Sequence, residues 1–304
     1  MRAGERSSVE RKTVAIVGFG DLGERLVRRL HPQRWRCLGL RRNAHAVPAG
    51  VEGIAVDLHD AATLRVLESR APDALLITLS PGERSAAGYR QGFHQAMEHI
   101  LAGLGRHRPE RIFFVSSTRV YAEEGGAWVD EDSPLAFADP RAKAIIDAEA
   151  ALRDFSASAV VLRAGGLYGA GPGYLLKRVS SGHFHPREPL QYGNRVHRDD
   201  VAAFLAATLP GGGLAGQALP GVINLVDDAP VPLQEVESWL ADALGCPYRP
   251  PAEASGPARH KRVRNTRLRA TAYELLFGDY RAGYGDVLHR WMAHSDREDG
   301  LDLH

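Results

Sequence analysis

The sequence predicts an α/β fold, a doubly wound parallel sheet with a small C-terminal lobe, and three observations predict it. Short β-branched and apolar runs alternate with longer helical patterns from Thr13 to Arg163, the signature of consecutive βαβ units. Several runs are continuously apolar, as in Ile112, Phe113, Phe114 and Val115, which suits strands covered by helices on both faces. Beyond Arg163 glycine and proline become frequent, in GGLYGAGPG and LPGGGLAGQALPG, and the alternation breaks into separate helical patterns joined by irregular chain.

The elements follow in order. Strands are expected at 13–18 (TVAIVG), 35–41 (WRCLGLR), 53–57 (GIAVD), 73–78 (DALLIT), 111–116 (RIFFVS) and 158–163 (SAVVLR). The intervening periodicity predicts helices over 21–31, 60–70, 84–105 and 140–154, and the connections are too long for hairpins. Later helices are expected near 198–209, 231–244 and 280–293. The expected organisation is a polar, frayed tail over 1–12, a first domain over 13–165, and a lobe over 166–304 with segments returning to the first domain's sheet.

Composition narrows the class of function. Among 304 residues, 38 Lys and Arg face 37 Asp and Glu, for a formal net charge of +1, which gives no global electrostatic case for nucleic acid or a membrane surface. Cys37 and Cys246 are the two cysteines, too few for a disulfide framework. The start, MRAGERSSVERK, lacks an apolar signal region, and no apolar run reaches the about 18 residues of a membrane span. A cytoplasmic protein is expected.

The first strand runs into Gly18-Phe19-Gly20-Asp21-Leu22-Gly23, followed by Leu26 and Leu30 at helical spacing. In a G-x-G-x-x-G turn the first glycine makes the tight turn, the second admits a pyrophosphate close to the backbone, and the third lets helix and strand pack closely. Its place in the first strand-turn-helix of a βαβ series is the context that makes the motif a Rossmann dinucleotide fingerprint. A carboxylate at the end of the second strand would suit the ribose 2′-hydroxyl of NAD, but Leu40-Arg41-Arg42-Asn43 stands there. Two guanidiniums suit a 2′-phosphate, so NADP is the favoured cofactor and NAD the alternative. Asp57, closing the third strand, is positioned for the adenine edge.

The glycine turn together with Ser116-Ser117-Thr118-Arg119-Val120-Tyr121 resembles the extended short-chain dehydrogenase/reductases, the nucleotide-sugar epimerase/dehydratase group. Further matching segments follow in order: Glu131 to Pro134, Leu162 to Gly173, His197 to Val201, Asn224 to Asp227 and Lys261 to Leu268. The resemblance implies that Ser117 hydrogen-bonds the substrate oxygen and that a Tyr-x-x-x-Lys pair does acid/base work, the lysine sharing a helix face with the phenol and lowering its pKa. Here that helix reads Asp139-Pro140-Arg141-Ala142-Lys143-Ala144-Ile145. One register gives Lys143 with Asp139 in the tyrosine position, and the other gives Arg141 and Ile145. Neither supplies a tyrosine, which is similar to the atypical subgroup of the family. Tyr121, Tyr168, Asp139 and His197 are the local groups that could replace it. Asp139 before Pro140 reads as a helix cap. Ser117, Lys143 and Tyr121 are the expected catalytic residues.

On the substrate side, Asn194, Arg195, His197 and Arg198 precede the helix at Asp199 and Asp200, where Asp200 reads as a cap. Arg259, Lys261, Arg262, Arg264, Arg267 and Arg269 crowd a short stretch around Asn265. The resemblance makes this a segment that contacts the nucleotide of a nucleotide sugar, and the run has no interleaved aromatic residue to stack nucleic-acid bases. Asn194, His197, Arg198, Arg262 and Asn265 are the expected substrate-binding residues. His183-Phe184-His185, two histidines at strand spacing taken to have no nearby carboxylate or cysteine partner, reads as loop rather than metal site, and no metal is expected. The implied protein is an NAD(P)-dependent oxidoreductase or epimerase/dehydratase-like enzyme for a nucleotide sugar or other small hydroxyl or carbonyl compound. The alternative is a non-catalytic NADP(H)-binding redox sensor or regulator. The implied partner is a small molecule, with neither nucleic acid nor membrane, and a homodimer is compatible with this reading.

Overall fold

The computed structural model describes residues 11–171, 173–252 and 260–299, with side chains up to residue 292. The chain forms two compact units. The first comprises the described residues up to Val115 with Ala144–Val161 and Leu205–Gly216, and the second Ser116–Lys143, Leu162–Phe204 and the described residues from Gln217.

The strands are β1 (Lys12–Val17), β2 (Trp35–Arg41), β3 (Val51–Ala55), β4 (Ala74–Thr78), β5 (Arg111–Ser117), β6 (Gly125–Val129), β7 (Ala159–Ala164), β8 (Gly166–Tyr168), β9 (Arg195–His197), β10 (Val222–Leu225) and β11 (His260–Val263). A seven-stranded sheet has the order β10-β7-β5-β4-β1-β2-β3. The β1–β2, β1–β4, β2–β3 and β4–β5 pairs are parallel, with Val14 opposite Cys37 on one side and Ala74 on the other. The residues of β1, β4 and β5 that the alternation marked as doubly covered, such as Ile16, Leu76 and Phe114, are fully buried. The order reverses between β1 and β4, so the carboxyl ends of these strands frame a crevice.

Of the expected strands, 53–57 moves most. β3 begins at Val51, opposite Cys37, and ends at Ala55 because the chain turns at Asp57, whose N–H is taken by the Thr63 hydroxyl at 3.0 Å. β10 is not among the expected strands; it joins the sheet beside β7.

The helices are α1 (Asp21–Val27), α2 (Val66–Arg70), α3 (Ala86–Tyr89), α4 (Ala96–Leu104), α5 (Pro140–Phe155), α6 (Gly173–Ser180), α7 (Arg198–Thr208), α8 (Leu233–Ala243), α9 (Thr266–Ala270) and α10 (Tyr280–Asp299). α1 is shorter than its apolar spacing predicts: Arg29 and Leu30 bond back three residues, to Leu26 and Val27, and Pro32 follows. The expected 60–70 helix is a 3₁₀ turn at Thr63–Arg65 continued by α2. The expected 84–105 helix is continuous but contains a π turn at Arg90–Gln95 between α3 and α4. There a Cβ on Gly92 would stand 2.7 Å from the Ser80 carbonyl, so only glycine lets the helix pass this close to the loop after β4.

The second unit holds two small parallel sheets, β8 with β9 and β11 with β6. Strands of three to five residues are too short for periodicity to mark. Its apolar core gathers Leu176 and Val179 of α6, Val236 and Leu240 of α8, and Tyr280, Tyr284 and Val287 of α10. Among the described residues no helix is long and apolar enough to cross a membrane. Both cysteines are free thiols, and burial pushes Cys37 up to about 11.

In the first unit α4 rests on the turn at Thr63–Arg65 through Gly103, where a Cβ would lie 2.5 Å from the Leu64 carbonyl. Gly103→Val should destabilise the chain by about 1–3 kcal/mol through overpacking against backbone, read as a lowered midpoint in urea; an unchanged midpoint would refute this packing.

Candidate functional site

In the first unit the glycine turn is built as the spacing requires. Gly18 has φ +77°, and a Cβ there would lie 2.0 Å from the Thr78 carbonyl. The Thr78 hydroxyl donates to the Gly18 carbonyl at 2.8 Å, and the N–H groups of Gly18 and Phe19 donate to Leu40. Around Gly20 the space is open, the nearest atom to a Cβ being the Gly18 carbonyl at 3.8 Å. Gly23 packs against strand and ring, its would-be Cβ 3.1 Å from Ile16 and 3.0 Å from Phe19. Leu22 is buried beneath the helix, and Asp21 pairs with Arg25 at 3.0 Å.

A cavity of about 410 Å³ opens beside this turn and is lined by Gly18, Phe19, Arg41, Arg42, Asp57 and Thr78, with the Ser80 and Gly92 approach at its edge. The fold thus brings together the first glycine, its neighbour, both arginines and the aspartate. Gly20, Asp21, Leu22 and Gly23 stand on the turn and helix without lining the cavity. Arg41 donates to the Ala46 carbonyl at 2.5 Å, whereas Arg42 is exposed. Asp57 accepts from the His59 N–H at 2.9 Å and so shapes its own loop. The glycine turn borders this cavity and two cations stand in its wall, an arrangement that fits a nicotinamide dinucleotide.

The second unit contains the expected catalytic and substrate residues. Ser117 accepts from the Arg119 N–H at 3.2 Å, which leaves its own O–H to donate. Lys143 is exposed on α5, and its N–H donates to the Asp139 carbonyl at 2.8 Å. Asp139 is the cap that the sequence suggested: its carboxylate accepts from the Arg141 N–H at 2.9 Å. Partial burial opposes ionisation, but that bond and the guanidiniums of Arg141 and Arg119 hold its carboxyl below the usual range.

Tyr121 departs from the expected role. It is 1% exposed, its hydroxyl donates to Asn224 and accepts from Arg163 at 3.2 Å, and burial pushes its phenol up to about 12. With both capacities of the hydroxyl spent indoors, Tyr121 is part of a buried network. Glu131 completes it, accepting from the Asn224 N–H at 2.7 Å, while Asn224 donates to the Arg264 carbonyl at 3.0 Å. Segments that the resemblance marked separately meet here.

Most of the expected substrate residues also have structural partners. Asn194 bridges to β11, donating to the Lys261 carbonyl at 2.9 Å and accepting from the Val263 N–H at 2.7 Å. Asn265 donates to Val226 and Asp228. His197 is wholly buried between Tyr168 and Phe277, with carboxylates of Asp199 and Asp286 at 3.6 and 3.8 Å. Asn194 and Arg198 do line a cavity of about 510 Å³, together with Arg195, Tyr168 and Gly193. Arg262 stands on β11 and donates to the Gly126 carbonyl at 2.8 Å.

Three readings need correction. Asp200 caps nothing on its own helix; its buried carboxylate accepts from the N–H groups of Leu276 and Phe277 at 2.6 and 3.1 Å, anchoring a distant turn. His185 does have a carboxylate partner, Glu237, at 2.5 Å, although no group of three potential metal ligands occurs among the described residues. The basic run lacks an aromatic residue in sequence but gains two in space: Arg262 lies over Trp128 and Tyr192, and Arg264 over Trp128, which is 44% exposed. Cross-strand neighbours are invisible to a linear reading.

A parallel sheet whose reversal point carries a glycine turn and an arginine-lined cavity defines a dinucleotide-binding α/β protein. A family model described as NAD(P)H-binding matches residues 18–210, and the chain belongs to this family, with neighbours of the epimerase/dehydratase type of short-chain dehydrogenase/reductase. It is 32% identical over 215 residues to Protein YeeZ of Escherichia coli (strain K12), covering 66% of this chain and 75% of that one. A solved structure from Methylobacillus flagellatus, named as a candidate NAD-dependent epimerase/dehydratase, is 33% identical with a TM-score of 0.75, over 93% of this chain and 99% of that one. The Bordetella bronchiseptica enzyme WbmG in complex with NAD shares the fold at 18% identity and a TM-score of 0.76, over 95% and 96% of the two chains.

The two first glycines should separate by experiment. Gly20→Val is expected to fold normally, because the space is open and φ −146° suits valine, yet to lose NADPH binding in calorimetry. Gly18→Val should unfold at markedly lower temperature. Valine at Gly20 with unchanged NADPH affinity would remove the dinucleotide reading of this turn.

Asp227 supplies a pH test. Burial outweighs the attraction of Arg195 and raises its carboxyl from 3.8 to about 7. Between those values the folded chain keeps a proton that the unfolded chain has released, so stability falls as pH rises through this window. Asp227→Asn should therefore gain on the wild type by on the order of a few kcal/mol from pH 4 to pH 8, measured by urea titration; a difference independent of pH would contradict the assignment.

Proposed function

We propose that this chain is an NADP(H)-dependent enzyme of the epimerase/dehydratase type, acting in the cytoplasm on a small hydroxyl or carbonyl compound, with a nucleotide sugar as one such substrate. The observation that carries the cofactor choice is the pair of arginines, Arg41 and Arg42, lining the first unit's cavity at the end of β2, with no carboxylate among the residues from Leu40 to Asn43. A guanidinium fork matches a 2′-phosphate and stays charged at any working pH. Gly18 and Phe19 would stand beneath the dinucleotide, and Asp57 beside its adenosine half. A nicotinamide dinucleotide bound there supplies hydride exchange.

On the protein side, Ser117 would polarise the substrate oxygen through its remaining O–H. Lys143, exposed at the start of α5, would supply the cation that the family resemblance calls for in the acid/base step. Tyr121 takes no part, since its hydroxyl is enclosed. The absence of a tyrosine four residues before Lys143, where Asp139 instead caps α5, also favours a second reading, a dinucleotide-binding sensor without turnover. A homodimer is compatible with both.

Replacing Arg41 and Arg42 with alanine should weaken NADPH tenfold or more, since each charge-assisted bond contributes about 1.5–3 kcal/mol, with little change for NADH. Equal losses for both would sink the 2′-phosphate assignment.

Turnover is tested by screening nucleotide sugars and simple carbonyl compounds, following NADPH absorbance and, for epimerisation, product chromatography. Ser117→Ala should slow any activity found by at least about tenfold, toward the 100-fold lost with an oriented donor, at nearly constant NADPH affinity. Activity as fast as wild type would remove Ser117 from the site. Tight NADPH binding with no turnover on any compound would favour the sensor.

A further inference from the structure

We propose that the second unit holds an oxyanion-binding pocket in which the Arg195 guanidinium and the Tyr168 hydroxyl take the carboxylate or phosphate group of a small organic ligand with an apolar body. Both residues line the cavity of about 510 Å³, a volume suited to a small molecule. Arg195 is only 5% exposed, yet its Nη1 and Nη2 have no hydrogen-bond partner, and neither has the hydroxyl of Tyr168, itself 8% exposed. Buried polar groups are normally satisfied, and a buried charge left unpaired is among the costliest features a fold can hold. Two Nη donors and a phenol O–H together ask for an acceptor with several lone pairs and a negative charge, which is the chemistry of an oxyanion.

A glycine lies directly against the guanidinium. Gly193 also lines the cavity, and a Cβ there would stand 2.5 Å from Arg195 Nη2. Any side chain there would push the guanidinium from its place. The remaining wall is largely apolar, with Tyr284, Leu233 and Val287 facing the same space. Asp227 is the charged neighbour of Arg195, and its Oδ2 likewise has no partner. Burial makes that carboxyl easier to protonate, so at neutral pH it only partly offsets the guanidinium. The ligand is the substrate only if the enzyme reading above is right; the pocket itself does not depend on it.

The test is calorimetric titration of the full chain with benzoate, phenyl phosphate and the neutral benzyl alcohol at constant ionic strength, with NADPH titrated on the same samples. Saturable one-to-one binding of at least one of the two anions is expected, and the tighter of them tells carboxylate from phosphate. Arg195→Met should weaken it about tenfold or more and Tyr168→Phe about threefold, with NADPH affinity unchanged. Should Arg195→Met fail to fold, Tyr168→Phe, which removes one atom, decides together with Gly193→Ala, expected to weaken anion binding by displacing the guanidinium. The proposal is overturned if neither anion binds, if benzyl alcohol binds as well as benzoate, or if the folded variants bind like wild type. Anion binding without NADPH binding would remove the proposed function and leave the pocket standing.

Discussion

At the end of β1 the chain must turn while the carbonyl of Thr78, at the end of β4, occupies the place where a Cβ would lie, 2.0 Å away. Only glycine meets both that contact and φ +77°. Because the turn can close, three strand ends are tied together: Gly18 and Phe19 donate to Leu40 of β2, and the Thr78 hydroxyl at the end of β4 donates to the Gly18 carbonyl just after β1. The cavity opens where these ends meet, at the reversal of strand order. Phe19 transmits the constraint outward, since its buried ring fills the space above Gly23 of α1 and Gly39 of β2. A larger residue at either position would push the ring, and with it the turn.

The second unit is organised by buried polar groups. Glu131, Arg163 and Asn224 are almost fully enclosed, and each satisfies another: Asn224 binds Glu131 and Tyr121, and Arg163 binds Tyr121 and the Glu131 carbonyl. Arg267 of α9 adds an ion pair to Glu131 at 3.7 Å. Such a network contributes little net stability, because desolvation offsets most of the attraction. Its effect is on uniqueness, since any packing that separates one member strands another without a partner.

This difference explains what could be read from the sequence. Strands β1, β2, β4, β5 and β7 of the large sheet were legible because burial on both faces writes a run of apolar residues, and the glycine turn because the backbone conformation demands a residue type. β6, β8, β9 and β11 are short, and their partners are distant in sequence, so Trp128 and Arg262 reveal nothing of each other until they meet. The motif segments around Glu131, Asn224 and Arg264 were legible as positions that matter. Their meaning was not, because Asn224 and Tyr121 would look the same in sequence whether they touched a substrate or one another. The π turn at Arg90–Gln95 was also hidden: it is so short that the periodic pattern on either side still reads as one helix, and the approach of Gly92 to Ser80 accompanies it.

Arginine shows the limit most clearly, because three of them share a unit and a residue type but not a fate. Arg163 is enclosed with its partners supplied by the fold. Arg262 lies flat on Trp128 and Tyr192 while its Nε is bound to Gly126, so stacking and one bond hold it at the surface. Arg195 is as buried as Arg163 and lies 5.8 Å from the Tyr280 ring, but its terminal nitrogens find no acceptor. Composition treats the three alike, and all three lie in or beside a segment that the family resemblance marked. Only a count of donors against acceptors separates them, since a fold that desolvates a guanidinium without answering it has left the answer to something outside the chain.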